Sequence, residues 1–101
     1  MEILLTLTGI DHYIDPEELE PNQEVILRKE PSNKKDKEAI AVYIKDTVKI
    51  GYVANSVYSV AKGTYSAGHL YDKVENEAKA VIQVILRNSA IMVISIENKK
   101  A

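Results

Sequence analysis

Asn33, Lys34, Lys35, Asp36 and Lys37 form one short polar run between two apolar segments, bringing a carboxamide, a carboxylate and three ammonium groups into a single loop. Two readings fit these residue types. The lysines can offer positive charge to an anionic partner, or they can be an ordinary solvated surface offset by Asp36 and Glu38. Asp36 can likewise face a ligand or cap the amides of Glu38 or Ala39, because short polar side chains readily bond their own backbone. A second polar group, Asp11, His12, Asp15, Glu17 and Glu18, has no spacing that matches a divalent-cation loop, so neither a metal nor a cofactor is expected. His12 and His69 read as surface residues. With no cysteine, no Ser-His-Asp order, no phosphate-binding glycine loop and no carboxylate pair of defined separation, the expectation is a protein that is not an enzyme.

The elements that must position this loop are strands. Glu24 to Arg28 reads as a strand that stops at Pro31, where the missing amide donor and fixed φ end a ladder. Ala39 to Ile44 and Thr47 to Val53 are rich in β-branched and aromatic residues and flank Lys45-Asp46, as an antiparallel hairpin requires. Before them, Glu2 to Gly9 reads as a strand with Thr6 and Thr8 on its polar face, and Pro16 opens a short turn capped by Asp15. After them, Asn55 or Ser56 is placed to cap a short helix in which Val57, Val60 and Ala61 recur at helical spacing and Gly63 ends it. Thr64 to Asn76 is irregular, a loop with room for a short strand at His69 to Val74. Ala78 to Arg87 and Ala90 to Glu97 form a hairpin about Asn88-Ser89; their nearly continuous apolar runs predict a strand covered on both faces, by the barrel and helix or by another subunit. Asn98 to Ala101 reads as a frayed polar tail. The sum is an all-β (mainly β) barrel of about six strands with a short helical insertion.

At 101 residues and 46% hydrophobic, the chain has the size and apolar content of one domain, 1–101, that needs no disulfide staple. The start Met1-Glu2-Ile3-Leu4-Leu5 has no positive flank, and no apolar stretch is long enough to span a bilayer, so a cytoplasmic protein is expected. Net charge is only −2, which excludes binding driven by bulk positive charge. Its distribution is uneven: residues 1–27 hold seven carboxylates and no Lys or Arg, whereas residues 28–49 hold seven basic residues.

In order along the chain stand Glu30-Pro31, Asn33, Asp36, Ala39-Ile40, Val42 and Ile50-Gly51-Tyr52. This series resembles the HIRAN domain, a small β-barrel module found alone in bacteria and phages. The resemblance extends weakly back to Gly9-Ile10 and forward past Tyr52, and it ends at Gly63. It implies an OB- or SH3-like barrel that binds single-stranded DNA at its 3′ end. The positions that match the family's site are Asp11 and His12, Lys35 and Asp36, and Tyr52. By that resemblance Asp36 accepts a bond from the 3′ hydroxyl, Tyr52 stacks on a base, and Lys35 neutralises phosphate, with stacking worth ~1–3 kcal/mol per base. The implied DNA-binding set is His12, Tyr13, Asn33, Lys34, Lys35, Asp36 and Tyr52.

Three positions depart from the family's DNA-binding members. Asp11 replaces a basic residue, and His12 and Lys35 each replace an aromatic one, while Tyr13 adds a ring nearby. A second expectation is therefore a protein-interaction or structural module that keeps the fold without the DNA cleft and forms a homo-oligomer through its C-terminal hairpin. The two are separated by geometry. Lysines of the 34–37 loop and Tyr52 lining one open cleft favour DNA; a cleft lined by Asp11 and Glu17 favours the alternative.

Overall fold

A computed structural model describes residues 1–96 of the chain. Alternating side chains place β1 (Glu2–Thr8), β2 (Glu24–Lys29), β3 (Ile40–Ile44), β4 (Val48–Val53), β5 (Glu77–Ile85) and β6 (Ser89–Ser95) around one interior, in the order β1-β4-β3-β2-β5-β6. All neighbours are antiparallel and the sheet closes on itself, which removes exposed edges. The interior is filled by aliphatic residues such as Leu5, Leu7, Val25, Leu27, Ile40, Ile50, Ile82 and Met92, all essentially inaccessible. No Phe or Trp contributes, and Tyr43, Tyr52, Tyr65 and Tyr71 are half-buried, leaving their polar tips at the rim.

The seam is narrow. β1 pairs with β6 along seven residues but meets β4 only at Leu7↔Val53 and Thr8↔Tyr52. At that point Gly51 lies against β1: a Cβ on it would stand 2.4 Å from the Thr8 carbonyl oxygen and 2.9 Å from Leu7 Cδ1. Below the seam, the rest of β1's edge is satisfied by the connection leaving β4. Ala54 N donates to Thr6 O (2.8 Å) and Tyr65 N to Leu4 O (2.8 Å). Thr6 Oγ1 shares a bond with Thr64 Oγ1 (2.8 Å) and accepts from Ala61 N (3.1 Å). Thr6 is therefore buried, not on a solvated face as its alternation with Leu5 and Leu7 suggests.

The helix also falls elsewhere. Ser56 to Val60 makes a single turn instead of the expected helix, with Val60 and Ala61 half-buried but Val57 89% exposed. The short helix is α1 (Ala67–Tyr71), where a loop or strand is expected; Ser66 caps it by accepting from His69 N (3.1 Å), and Ala67 and Leu70 are buried. Two 3₁₀ turns precede β2, at Ile10–His12 and Pro16–Glu18. The second has the expected Asp15 cap, with Glu17 N donating to Asp15 Oδ1 (3.0 Å). The Lys45-Asp46 turn forms as expected, with both residues at positive φ, and Arg28 holds it through the Asp46 carboxylate and carbonyl.

The C-terminal hairpin is present, and within the single chain neither strand is covered on both faces. Ala90, Met92 and Ile94 point inward while Ile91 and Val93 are half-buried, and Val84 and Leu86 are exposed. Glu97 and the 98–101 tail lie outside the described residues. Among the described residues no helix is long and apolar enough to cross a membrane.

Because the atom facing Gly51 is backbone, it cannot yield to a methyl group. Gly51→Ala should cost roughly 3 kcal/mol in urea unfolding and lower the melting midpoint by about 10 °C or more. An unchanged midpoint would contradict this account of the seam.

Candidate nucleic-acid interface

The polar loop is built by its own side chains. Glu30 N donates to Ala39 O (2.8 Å), closing the loop between β2 and β3. Inside it, Asn33 Oδ1 accepts from Lys35 N (2.9 Å) and Asp36 N (3.1 Å), and Asp36 Oδ1 accepts from Glu38 N (2.9 Å). The turn-forming reading of Asp36 is thus realised at one oxygen. The other accepts from Asn55 Nδ2 (2.8 Å), a bond from across the site.

A second anchor ties the loop to β4. The Glu30 carboxylate receives Asn33 Nδ2 (3.0 Å), Tyr52 Oη (2.7 Å) and Lys49 Nζ (2.9 Å), and Lys49 Nζ also donates to Tyr52 Oη (3.0 Å). Burial alone would raise the Glu30 pKa, but bonds from Lys49, Tyr52 and Asn33 outweigh it and hold the carboxyl below its ordinary 4.5. The same contacts, with Tyr52 first and then Glu30, raise the Lys49 pKa, so its ammonium stays charged. Burial raises the Tyr52 pKa and keeps the phenol protonated, able to donate. Tyr52 is thereby fixed through its hydroxyl.

That ring forms one wall of an open groove of about 640 Å³. Tyr13 lies beside it, ring centroids 6.4 Å apart and planes tilted by 56°. Of the residues expected to act together, Tyr13, Asn33, Lys35, Asp36 and Tyr52 line this groove; His12 and Lys34 are exposed and do not. Neither Asp11 nor Glu17 lines it. Among the described residues no three His, Asp or Glu side chains are grouped to hold a metal ion.

Sequence reasoning missed Thr8, Ala39, Val53, Asn55, Ser56 and Ser59, which complete the walls. Asn55 matters most. Its Oδ1 accepts from Gly68 N (2.7 Å) while its Nδ2 holds Asp36, so it ties the loop to α1. Nothing in local periodicity marks it, because both partners are distant in sequence.

Glu30 folds with a lowered pKa, so its contribution is complete above about 4.5 and is lost as pH falls through the lower folded value. Glu30→Gln should cost about 1–2 kcal/mol at neutral pH and flatten the acid side of the stability curve measured by urea unfolding. An acid limb as steep as the wild type's would refute the assignment.

The fold is similar to the crystal structure of the HIRAN domain of human HLTF, with a TM-score of 0.66 and 18% identity, covering 96% of this chain and 77% of that one. It is also similar to a protein from Lactobacillus plantarum, with a TM-score of 0.59 and 19% identity, covering 96% and 98% of the two chains. At such identities the likeness is one of fold. No curated protein matches in sequence. A family model described as the HIRAN domain matches residues 2–82, a span that contains every wall of the groove. The closed, mainly β barrel and this match agree, and the chain belongs to the HIRAN domain family.

Proposed function

We propose that this chain is a non-catalytic nucleic-acid-binding module that takes single-stranded DNA, and in particular a 3′ DNA end, into the groove between Tyr13 and Tyr52. The observation that carries this reading is the convergence of two rings, one lysine that forms no ion pair among the described residues, and one carboxylate on a single open surface. Tyr13 and Tyr52 supply stacking faces. Lys35 faces phosphate, with Lys34 and Lys37 exposed beside it. Asp36 accepts from a terminal hydroxyl, and Asn33 holds the loop in shape. With so few cations, affinity comes mainly from stacking, and the salt dependence of two or three phosphate contacts is about −1.4 to −2.1 in log–log slope for a single strand. End recognition of this kind suits a role in DNA repair or replication.

A second reading is favoured by one observation. Leu4, Val93 and Val81 lie side by side in register across β1, β6 and β5, with Val84 and Leu86 exposed nearby. This apolar stripe is the surface through which the C-terminal hairpin would form a homo-oligomer.

Fluorescence anisotropy of labelled oligonucleotides ending in a 3′ hydroxyl or a 3′ phosphate separates the two. Tyr13 is 44% exposed, so Tyr13→Ala leaves the barrel intact and should weaken binding about tenfold or more. Lys35→Ala should reduce the salt slope by about 0.7, and a 3′ phosphate should bind more weakly than a free hydroxyl. No binding at high micromolar protein, together with a dimer in sedimentation, would overturn the DNA reading and leave the interaction module.

A further inference from the structure

We infer that a second groove, adjacent to the first, takes the nucleotides that follow the terminal one in a bound single strand; this rests on the reading above that the first groove binds DNA. The second groove, of about 460 Å³, lies across the Ser56–Val60 turn and shares Asn55 and Ser56 with the first. A strand leaving the first groove therefore has only this one turn to cross before it reaches the second.

The chemistry of this groove repeats that of the first. His69 is stacked on Tyr65, ring centroids 4.2 Å apart and planes within 10°, and His69 is the exposed member of the pair. It presents a ring face of the kind on which any base can stack. Lys62 stands at the groove, exposed and, among the described residues, in no ion pair. Among the described residues no carboxylate lines this groove, so of their side chains a phosphate meets one cation and no repelling charge. Tyr58, 97% exposed on the turn dividing the two grooves, adds a ring between them.

The platform is also held in place. Ser66 caps α1 at His69 N, Ala67 N donates to Ala54 O (2.9 Å), and Gly68 N donates to Asn55 Oδ1. Asn55 in turn holds Asp36. The two grooves are thus registered to each other through one carboxamide, which fixes the spacing between the end-binding carboxylate and the second stacking surface.

Oligothymidylates with a free 3′ hydroxyl, from a dinucleotide upward in length, test this by anisotropy. Wild type should bind longer strands more tightly. Lys62 and His69 are both exposed, and alanine suits a helix, so the double variant Lys62→Ala, His69→Ala should fold normally. It should bind the dinucleotide as wild type does and lose the gain with length, about tenfold. Tyr13→Ala should instead weaken every length alike. A double variant with the wild-type length dependence overturns the second groove, as does a wild type whose affinity stops rising at the dinucleotide while that dinucleotide binds. Failure of every length to bind wild type overturns the DNA reading and this inference with it.

Discussion

The contact of Gly51 with the Thr8 carbonyl is the constraint on which the rest of the structure depends. Two register pairs join β4 to β1, and they form only because nothing projects from position 51. Closure there fixes Tyr52 at the rim beside the residues that follow β1. Gly9, at φ 77°, turns the chain directly into the 3₁₀ turn of Ile10–His12, where buried Ile10 anchors it and Tyr13 emerges against Tyr52. The pairing of the two rings is thus a consequence of barrel closure. Because the seam is so short, residues 54–65 must satisfy the rest of β1, and in doing so they raise the turn that separates the two grooves.

Electrostatics divide the basic residues into two sets. Arg28 is occupied by Asp46 and by Glu77 at 2.6 Å, with its guanidinium 4.7 Å from the Tyr43 ring. Lys49 is tied to Glu30 and Tyr52, and Lys29 to Val74 O with its ammonium 4.4 Å from the Tyr71 ring. These cations hold strands and loop together, and cation–π contacts of this sort add about 0.5–2 kcal/mol each. Lys34, Lys35 and Lys37 form no ion pair among the described residues and project from a loop shaped by Asn33 and Asp36. Of the seven basic residues in 28–49, three (Arg28, Lys29 and Lys49) are therefore structural. What remains is too little positive charge to bind polyanions indiscriminately, in keeping with a net charge of −2.

The strands were legible because their apolar residues alternate or run with β-branched side chains, and the turns because Pro31, Pro16 and Lys45-Asp46 are local signals. The loop was legible for the same reason: Asn33 and Asp36 bond backbone within two or three residues. Three features were not. Val57, Val60 and Ala61 carry helical spacing without a core to meet, whereas α1 forms despite Gly68, a poor helix former whose amide is held by Asn55 Oδ1. Thr6 is buried by partners 55 and 58 residues away. Asn55 joins Asp36 to Gly68, neither of which is near it in sequence. In each case long-range hydrogen bonds override a local pattern. In the C-terminal hairpin the continuous apolar residues leave one face only half covered within the single chain, so the barrel and helix do not supply the cover expected there.

The central claim is that the groove between Tyr13 and Tyr52 is where a single strand sits. Backbone amide shifts mapped by NMR while a short 3′-hydroxyl oligonucleotide is added test it most directly. The account predicts that the largest changes fall on Tyr13, Lys35, Asp36, Tyr52 and Asn55, with the outer faces of β5 and β6 unmoved. Changes confined to β5 and β6, or none at saturating oligonucleotide, would contradict it.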